Sequence, residues 1–426
     1  MKKILLSVTL LMLLAGCKKQ TVPDEQSLPI FKSVYSMLQH RDFFNARLRY
    51  EADRTKMSEF HQLVAGALID QAFNRLESSN VKINTVFHTY GARVPDSTRY
   101  RLLIAKQINH GKRCEYQQAF SAMDETINTL AKEIPGKEMK DHQNTRVIWK
   151  SLMDQPRQQV IIEAGTTMDM KRDKAGLSNL TVSTGTVSMD FVFDTGANFS
   201  TVTATTAKQF NMMMMDSVID VMAITGATVK ARIALCPELH VGNIRVRNAV
   251  FLVFADSALA VSQIHYQING ILGFPVIEAM KEIQITRDGK LIVPVQRTEC
   301  AYRNMALDFL TPVMELNGES YTFDTGANKT VLYEAYFNKY KQSIVKGYTE
   351  RMVNLGGAGG SLWRKSYQIT FSPVIDSKSV SVDSVLVLEE NMKDDAKELY
   401  GNIGQDLIRK FGKMTLNFES MFIRLD

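Results

Sequence analysis

The sequence predicts an α+β multidomain protein, with an N-terminal α-helical hairpin domain followed by a duplicated, two-lobed all-β unit. Three observations carry that expectation. Apolar side chains recur at helical spacing from about residue 25 to 153. Beyond that they alternate with a period of two between Gly, Asn and Asp turn signals, and a six-residue string then occurs twice in matching surroundings. A chain of 426 residues is also too long for one ordinary core.

Residues 1–16 read as a targeting segment. Lys2 and Lys3 form a positive start, Ile4 to Leu14 an apolar run too short for a stable bilayer span, and Ala15-Gly16-Cys17 a small-residue cleavage region. Leu14-Ala15-Gly16-Cys17 resembles a bacterial lipobox, in which the cysteine is lipidated and becomes the new N-terminus. The alternative is a plain secretory signal with a chance cysteine. The lipobox reading attaches the mature chain to a lipid bilayer through Cys17, with Lys18 and Lys19 beside the headgroups. It implies a location in a bacterial cell envelope, exported to the periplasmic or outer-surface side.

Residues 17–153 comprise the lipidated N-terminus and the helical domain. Phe31, Val34, Tyr35 and Leu38 share a helix face, as do Phe60, Leu63, Val64, Ala67 and Leu68; Ile104 and Ile108 mark another helix, begun at Pro95-Asp96-Ser97. The texture is that of stacked helical hairpins and resembles tetratricopeptide-like repeats, without a clean fixed period. A cap or spacer and a peptide-binding solenoid both fit it.

Net charge is +6, with lysines and arginines dispersed, which argues against a nucleic-acid partner. After Cys17, the three cysteines Cys114, Cys236 and Cys300 are odd in number and match no zinc spacing; whether Cys236 and Cys300 pair is open. The seven histidines show no ligand spacing, so no metal and no cofactor are expected.

Asp154-Gln155-Pro156-Arg157 reads as a linker and Val160-Ile161-Ile162 as the first strand; Met189 to Phe193 and Ser379 to Val382 are further strands. The lobes are placed at 157–297 and 298–426. Phe193-Asp194-Thr195-Gly196-Ala197-Asn198 recurs as Phe323-Asp324-Thr325-Gly326-Ala327-Asn328. Gly226-Ala227 and Gly357-Ala358 follow their respective aspartates at offsets that agree to within a single position, and so do Gly273 and Gly404. Each half closes on a hairpin, Ile283 to Val293 and Met414 to Leu425. One shared string is weak, but four landmarks in register indicate a repeated unit.

An Asp-Thr-Gly at a strand end presents a carboxylate, a hydroxyl and a glycine that lets the chain turn with its N–H groups inward. A single copy also makes an ordinary turn. Two copies in a repeated unit can meet across a pseudo-twofold axis, where both carboxyls cannot ionise cheaply and share one proton. Such a pair can activate a water and polarise a carbonyl.

The repeated Phe-Asp-Thr-Gly-Ala and the Ile271-Leu272-Gly273 element resemble the motifs of clan AA aspartic proteases, the alanine being more like retropepsins than pepsins. The resemblance covers roughly residues 160 to 426. It implies a β-fold in each lobe, the pair Asp194 and Asp324 as catalytic residues, and Thr195, Gly196, Ala197, Thr325, Gly326 and Ala327 as the supporting loops. Glycine-tipped flaps would include Gly226, Ala227, Gly357 and Ala358; flexible surface turns are the alternative, and at Gly226-Ala227 the two readings fit equally. In the second copy the apolar-apolar-Gly element reads Asn402-Ile403-Gly404, a departure that bears on the packing beneath Asp324. Met212 to Met215 suit core filling better than a cleft wall. The activity implied is hydrolysis of peptide or protein substrates by a chain functional as a monomer. The alternative is a non-catalytic peptide-binding or scaffolding lipoprotein that retains the fold, which would be expected to have lost a carboxylate or a glycine.

Overall fold

The computed structural model describes residues 22–222, 228–261, 264–357, 360–375, 378–391 and 398–426. The expected signal segment 1–16, Cys17, Gly226, Ala227 and Ala358 lie outside the described residues.

Among the described residues, seven α-helices precede the β region: α1 Asp24–Gln39, α2 Phe43–Asp53, α3 Glu59–Ala72, α4 Leu76–Tyr90, α5 Asp96–Lys112, α6 Tyr116–Thr129 and α7 Met139–Leu152. The first three hairpins close by the same device. Arg41, Asn74 and Cys114 each take a positive φ, of 56°, 60° and 54°. The next N–H then reaches back five residues: Asp42 to the Met37 carbonyl (2.9 Å), Arg75 to Asp70 (2.7 Å) and Glu115 to His110 (2.9 Å). This closure satisfies carbonyls that the helix end leaves free. Five residues beyond each turn stands a small, fully buried residue, Ala46, Ser79 or Ala119, that lets the paired helices approach closely.

These turns lie along the edge that meets the β region. Arg41 pairs with Asp308, the Asn74 amide donates to the Phe418 carbonyl (3.0 Å), and Lys112 pairs with Glu278 (2.9 Å). Apolar packing follows the same line. Val34, Phe44 and Ile69 share a cluster with Ala306, Val313 and Leu399 of the second lobe. Tyr116, Met123, Trp149 and Leu152 share another with Ile233, Leu235 and Leu252 of the first. At about 1.5–3 kcal/mol per buried large side chain, these two clusters make a permanent joint.

In the first lobe the strand Ser188–Phe193 delivers Asp194. Gly270–Leu272 runs parallel to it, placing Ile271 opposite Val192 and Leu272 opposite Phe193. On its other side Gly270–Leu272 pairs antiparallel with Ser200–Thr203, which lies parallel to Ile244–Phe254. The second lobe repeats this order. Glu319–Phe323 delivers Asp324 beside the parallel Gly401–Ile403, which pairs antiparallel with Val331–Leu332, itself parallel to Val382–Leu388. A long hairpin adjoins each set: Met213–Met222 with Thr228–Val241, and Glu350–Gly357 with Gly360–Phe371. Helix α7 braces the first. Asn144 exchanges two hydrogen bonds with the Asp220 backbone (2.9 and 3.2 Å), and the Ser151 hydroxyl donates to Ser217 (2.6 Å).

The lobes join through a five-stranded sheet ordered Thr166–Asp169, Lys290–Val293, Glu282–Thr286, Lys413–Asn417, Phe422–Leu425. Its central antiparallel pairing sets Gln284 opposite Thr415. A single apolar cluster runs from Phe191 and Phe193 through Ile283 and Leu416 to Phe323 and Ile403, so the lobes share a core. Buried Glu282 fixes the connection between them, accepting from the Thr298 N–H (2.7 Å), the Thr298 hydroxyl (2.7 Å) and the Asn417 amide (2.8 Å).

The first β-strand is Gln159–Ile162, and both terminal hairpins form where expected. Ser379 to Val382 is not one strand. Lys378–Ser379 forms a small ribbon with Val374–Ile375, the Val380 N–H turns back to the Pro373 carbonyl (3.2 Å), and the main strand begins at Val382. Cys114, Cys236 and Cys300 are free thiols.

The Lys112 side chain is 2% exposed, so its pair with Glu278 is desolvated. Glu278→Gln leaves a buried ammonium without its counter-charge and should cost about 3 kcal/mol. The double substitution Lys112→Met with Glu278→Leu should recover most of that loss. Urea unfolding midpoints at neutral pH check both expectations.

Candidate active site

Each aspartate is the last residue held by its companion strand. The Asp194 N–H donates to the Leu272 carbonyl (3.1 Å) and the Asp324 N–H to Ile403 (3.0 Å). The chain then folds over its own carboxylate. Gly196 N–H donates to Asp194 Oδ1 (2.7 Å), Gly326 N–H to Asp324 Oδ1 (2.8 Å), and Ala327 N–H to the same Asp324 oxygen (3.2 Å). These bonds are the local turn that an Asp two residues before a Gly favours.

The threonines tie the two loops together. Thr195 N–H donates to Thr325 Oγ1 (3.1 Å) and Thr325 N–H to Thr195 Oγ1 (3.0 Å). Each hydroxyl then donates to the carbonyl before the opposite aspartate, Thr195 to Phe323 (3.2 Å) and Thr325 to Phe193 (3.1 Å). Both threonines are buried, at 0% and 1% exposure, so every one of these groups would be costly to leave unpaired.

The glycines seat the carboxylates. A methyl group on Gly196 would lie 2.7 Å from the Asp324 carboxyl carbon, and one on Gly326 would be driven into the Asp194 carboxyl. Neither glycine takes a positive φ. The sharp turn expected of them is therefore not what requires glycine here; space for the opposite carboxylate is. Behind the loops, Gly273 and Gly404 pass within contact of the Phe199 and Lys329 backbone, leaving no room for a side chain. Their N–H groups donate to Ser200 Oγ (3.0 Å) and Thr330 Oγ1 (3.1 Å). The carbonyls of Ala197 and Ala327 accept from Phe274 (2.8 Å) and Gln405 (2.9 Å). Sequence reasoning misses Ser200 and Thr330, although the two stand at the same place after their aspartates.

The carboxyls of Asp194 and Asp324 are brought together, each seated against the glycine of the opposite loop. Burial first, then the charge and hydrogen bond of Asp324, hold the Asp194 proton well above the usual carboxylate range, against the opposing N–H groups of Gly196 and Ala197. Asn402 does not disturb the packing. Ile403 and Phe323 beside it are fully buried, the Asn402 Oδ1 accepts from the Thr322 hydroxyl (2.6 Å), and its amide faces Asp324 Oδ2 at 3.4 Å.

Of the expected flap residues, Gly357 ends the strand Glu350–Gly357 and pairs with Gly360. The methionine run divides between surroundings. Met212 is buried and Met214 packs on the lobe core, Met213 is 47% exposed, and Met215 packs on the cluster shared with the helices. Met212 and Met214 also line a cavity of about 700 Å³ with Val253 and Phe254, to which neither aspartate loop contributes. Among the described residues no His, Cys, Asp or Glu cluster is arranged for a metal, and no helix is long and apolar enough to cross a membrane.

Residues 179–276 match the model of a family described as aspartyl protease. The match spans the first aspartate loop and Gly273 and ends before the second lobe. It supports an aspartyl protease family for this region. No curated protein matches the chain.

An aspartate whose proton is held more tightly in the folded than in the unfolded chain lowers stability as pH rises above the ordinary value. Asp194→Asn removes that loss. The variant should match wild type in unfolding free energy below about pH 4 and exceed it at pH 7, as read by chemical denaturation at both pH values.

Proposed function

We propose that residues 157–426 act as a single-chain aspartic endopeptidase of duplicated, retropepsin-like lobes, with Asp194 and Asp324 as the catalytic pair. One observation carries the reading: two Asp-Thr-Gly loops are cross-bonded through their threonines, with each carboxylate seated against the opposite glycine. The matching strand order of the two lobes supports descent by duplication.

In this reading the ionised carboxylate takes a proton from a water as its oxygen attacks the scissile carbonyl carbon. The protonated carboxyl gives its proton to the carbonyl oxygen, forming a tetrahedral diol. The C–N bond then breaks as the amine nitrogen is protonated by the carboxyl that first acted as base. A diol hydroxyl returns a proton to the other. The two hairpins would flank an extended peptide whose backbone adds as a strand. The helical domain, fixed to both lobes, serves as a rigid support in place of a second chain. Cys17 would tether the protein to a membrane of a bacterial cell envelope.

Purified protein beginning at Val22 should cleave members of a proteome-derived peptide mixture, read by mass spectrometry. Asp194→Asn and Asp324→Asn should each lower the rate by at least about 10³-fold while leaving circular dichroism unchanged. Peptide binding without cleavage in wild type would favour the non-catalytic alternative.

A further inference from the structure

The two lobes differ at one register position beside the carboxylates. In the first, the parallel strands place Ile271 opposite Val192. In the second, the same position sets Asn402 opposite Thr322. An apolar pair in one lobe is thus a hydrogen-bonded polar pair in the other. The Thr322 hydroxyl donates to Asn402 Oδ1 at 2.6 Å, which leaves the amide N–H to face Asp324 Oδ2 at 3.4 Å. The reverse amide orientation would aim an oxygen at a carboxylate, so the Asp324 charge selects this orientation, and the Thr322 hydroxyl, which also lies 3.2 Å from the Gly401 carbonyl, holds the amide in place.

We propose that Asn402, held by Thr322, is a positioning residue that makes the pair unequal, keeping the negative charge on Asp324 and the shared proton on Asp194. Asp324 is then the base that takes the water proton, and Asp194 the acid that protonates the carbonyl oxygen. The proposal rests on the protease reading for that assignment of roles, although the inequality of the carboxyls does not.

The donors count in its favour. Asp324 Oδ1 already accepts from Gly326 and Ala327, and Asn402 adds a donor at Oδ2. Asp194 accepts from its own loop, while Ile271 has no polar atom to offer. At 3.4 Å the amide contact is long, and it acts as a dipole aimed at a carboxylate rather than a tight bond. In a buried site that dipole still favours the ionised form. Among the described residues, the titratable group facing Asp324 is Asp194. The charged side chains on neighbouring elements are engaged elsewhere: Lys329 with Asp406 (4.0 Å), Asp406 with the Thr330 N–H (2.8 Å), and Arg409 with Asn328 (3.2 Å). Burial and the adjoining carboxyl raise Asp194 in the same sense.

The test replaces the polar pair by the first lobe's own apolar one, Thr322→Val with Asn402→Ile, a substitution the fold already accommodates in the other half. Two readouts are taken: the stepwise titration of ¹³C-labelled aspartate carboxyls by NMR, and the acid limb of kcat/KM for peptide cleavage. A donor to the charged form lowers the pH at which the pair first ionises, so its removal should raise the lower step by about half a pH unit or more and move the acid limb up equally. Thr322→Val alone should shift both in the same direction by less. A lower step unchanged in the double variant overturns the proposal, whatever the effect on rate. If wild type cleaves nothing but the titration still moves, the protease reading fails and the inequality stands.

Discussion

Four reciprocal hydrogen bonds between the loops of Thr195 and Thr325 set the geometry on which the candidate site depends. Each threonine uses its N–H, and its hydroxyl as both donor and acceptor, across the boundary between lobes. The aspartates precede these residues directly, so their separation follows from bonds that stretch little. Two carboxyls brought together in a buried place cannot both carry charge cheaply. Glycine is required at positions 196 and 326 because the opposite carboxylate occupies the space a side chain would need.

The rest of the chain keeps those bonds from being pulled apart. The five-stranded sheet and the shared apolar core join the lobes beneath the loops, and Glu282 anchors the connection. The helical array also bridges both lobes. Its successive turns reach the second lobe at Asp308, the joining sheet at Phe418 and the first lobe at Glu278. A site made by two separate chains would depend on their concentration; a splinted single chain carries no such dependence.

Much of this arrangement is legible in the residues. The two identical strings, the distant glycines and the terminal hairpins identify the aspartate loops and their surroundings because those features are short-range and repeat. The helical hairpins are harder. Their closures at Arg41, Asn74 and Cys114 are unevenly spaced, and only one of the three uses a residue favoured at positive φ. The repeat is visible in backbone bonds rather than in composition. Asn402 shows in the sequence as an irregularity, but its partner Thr322 is far away along the chain, and only strand register brings the two together. The requirement for glycine at 196 and 326 also reads locally as a turn, since close approach from a distant segment leaves no local mark.

The central claim is that both aspartates of one chain form one site. Wild type, Asp194→Asn, Asp324→Asn and an equimolar mixture of the two variants are compared for peptide cleavage across a range of concentrations. A wild-type rate per chain independent of concentration, with both variants and their mixture inactive, is the predicted result. Activity in either variant alone, or recovery in the mixture, would contradict it.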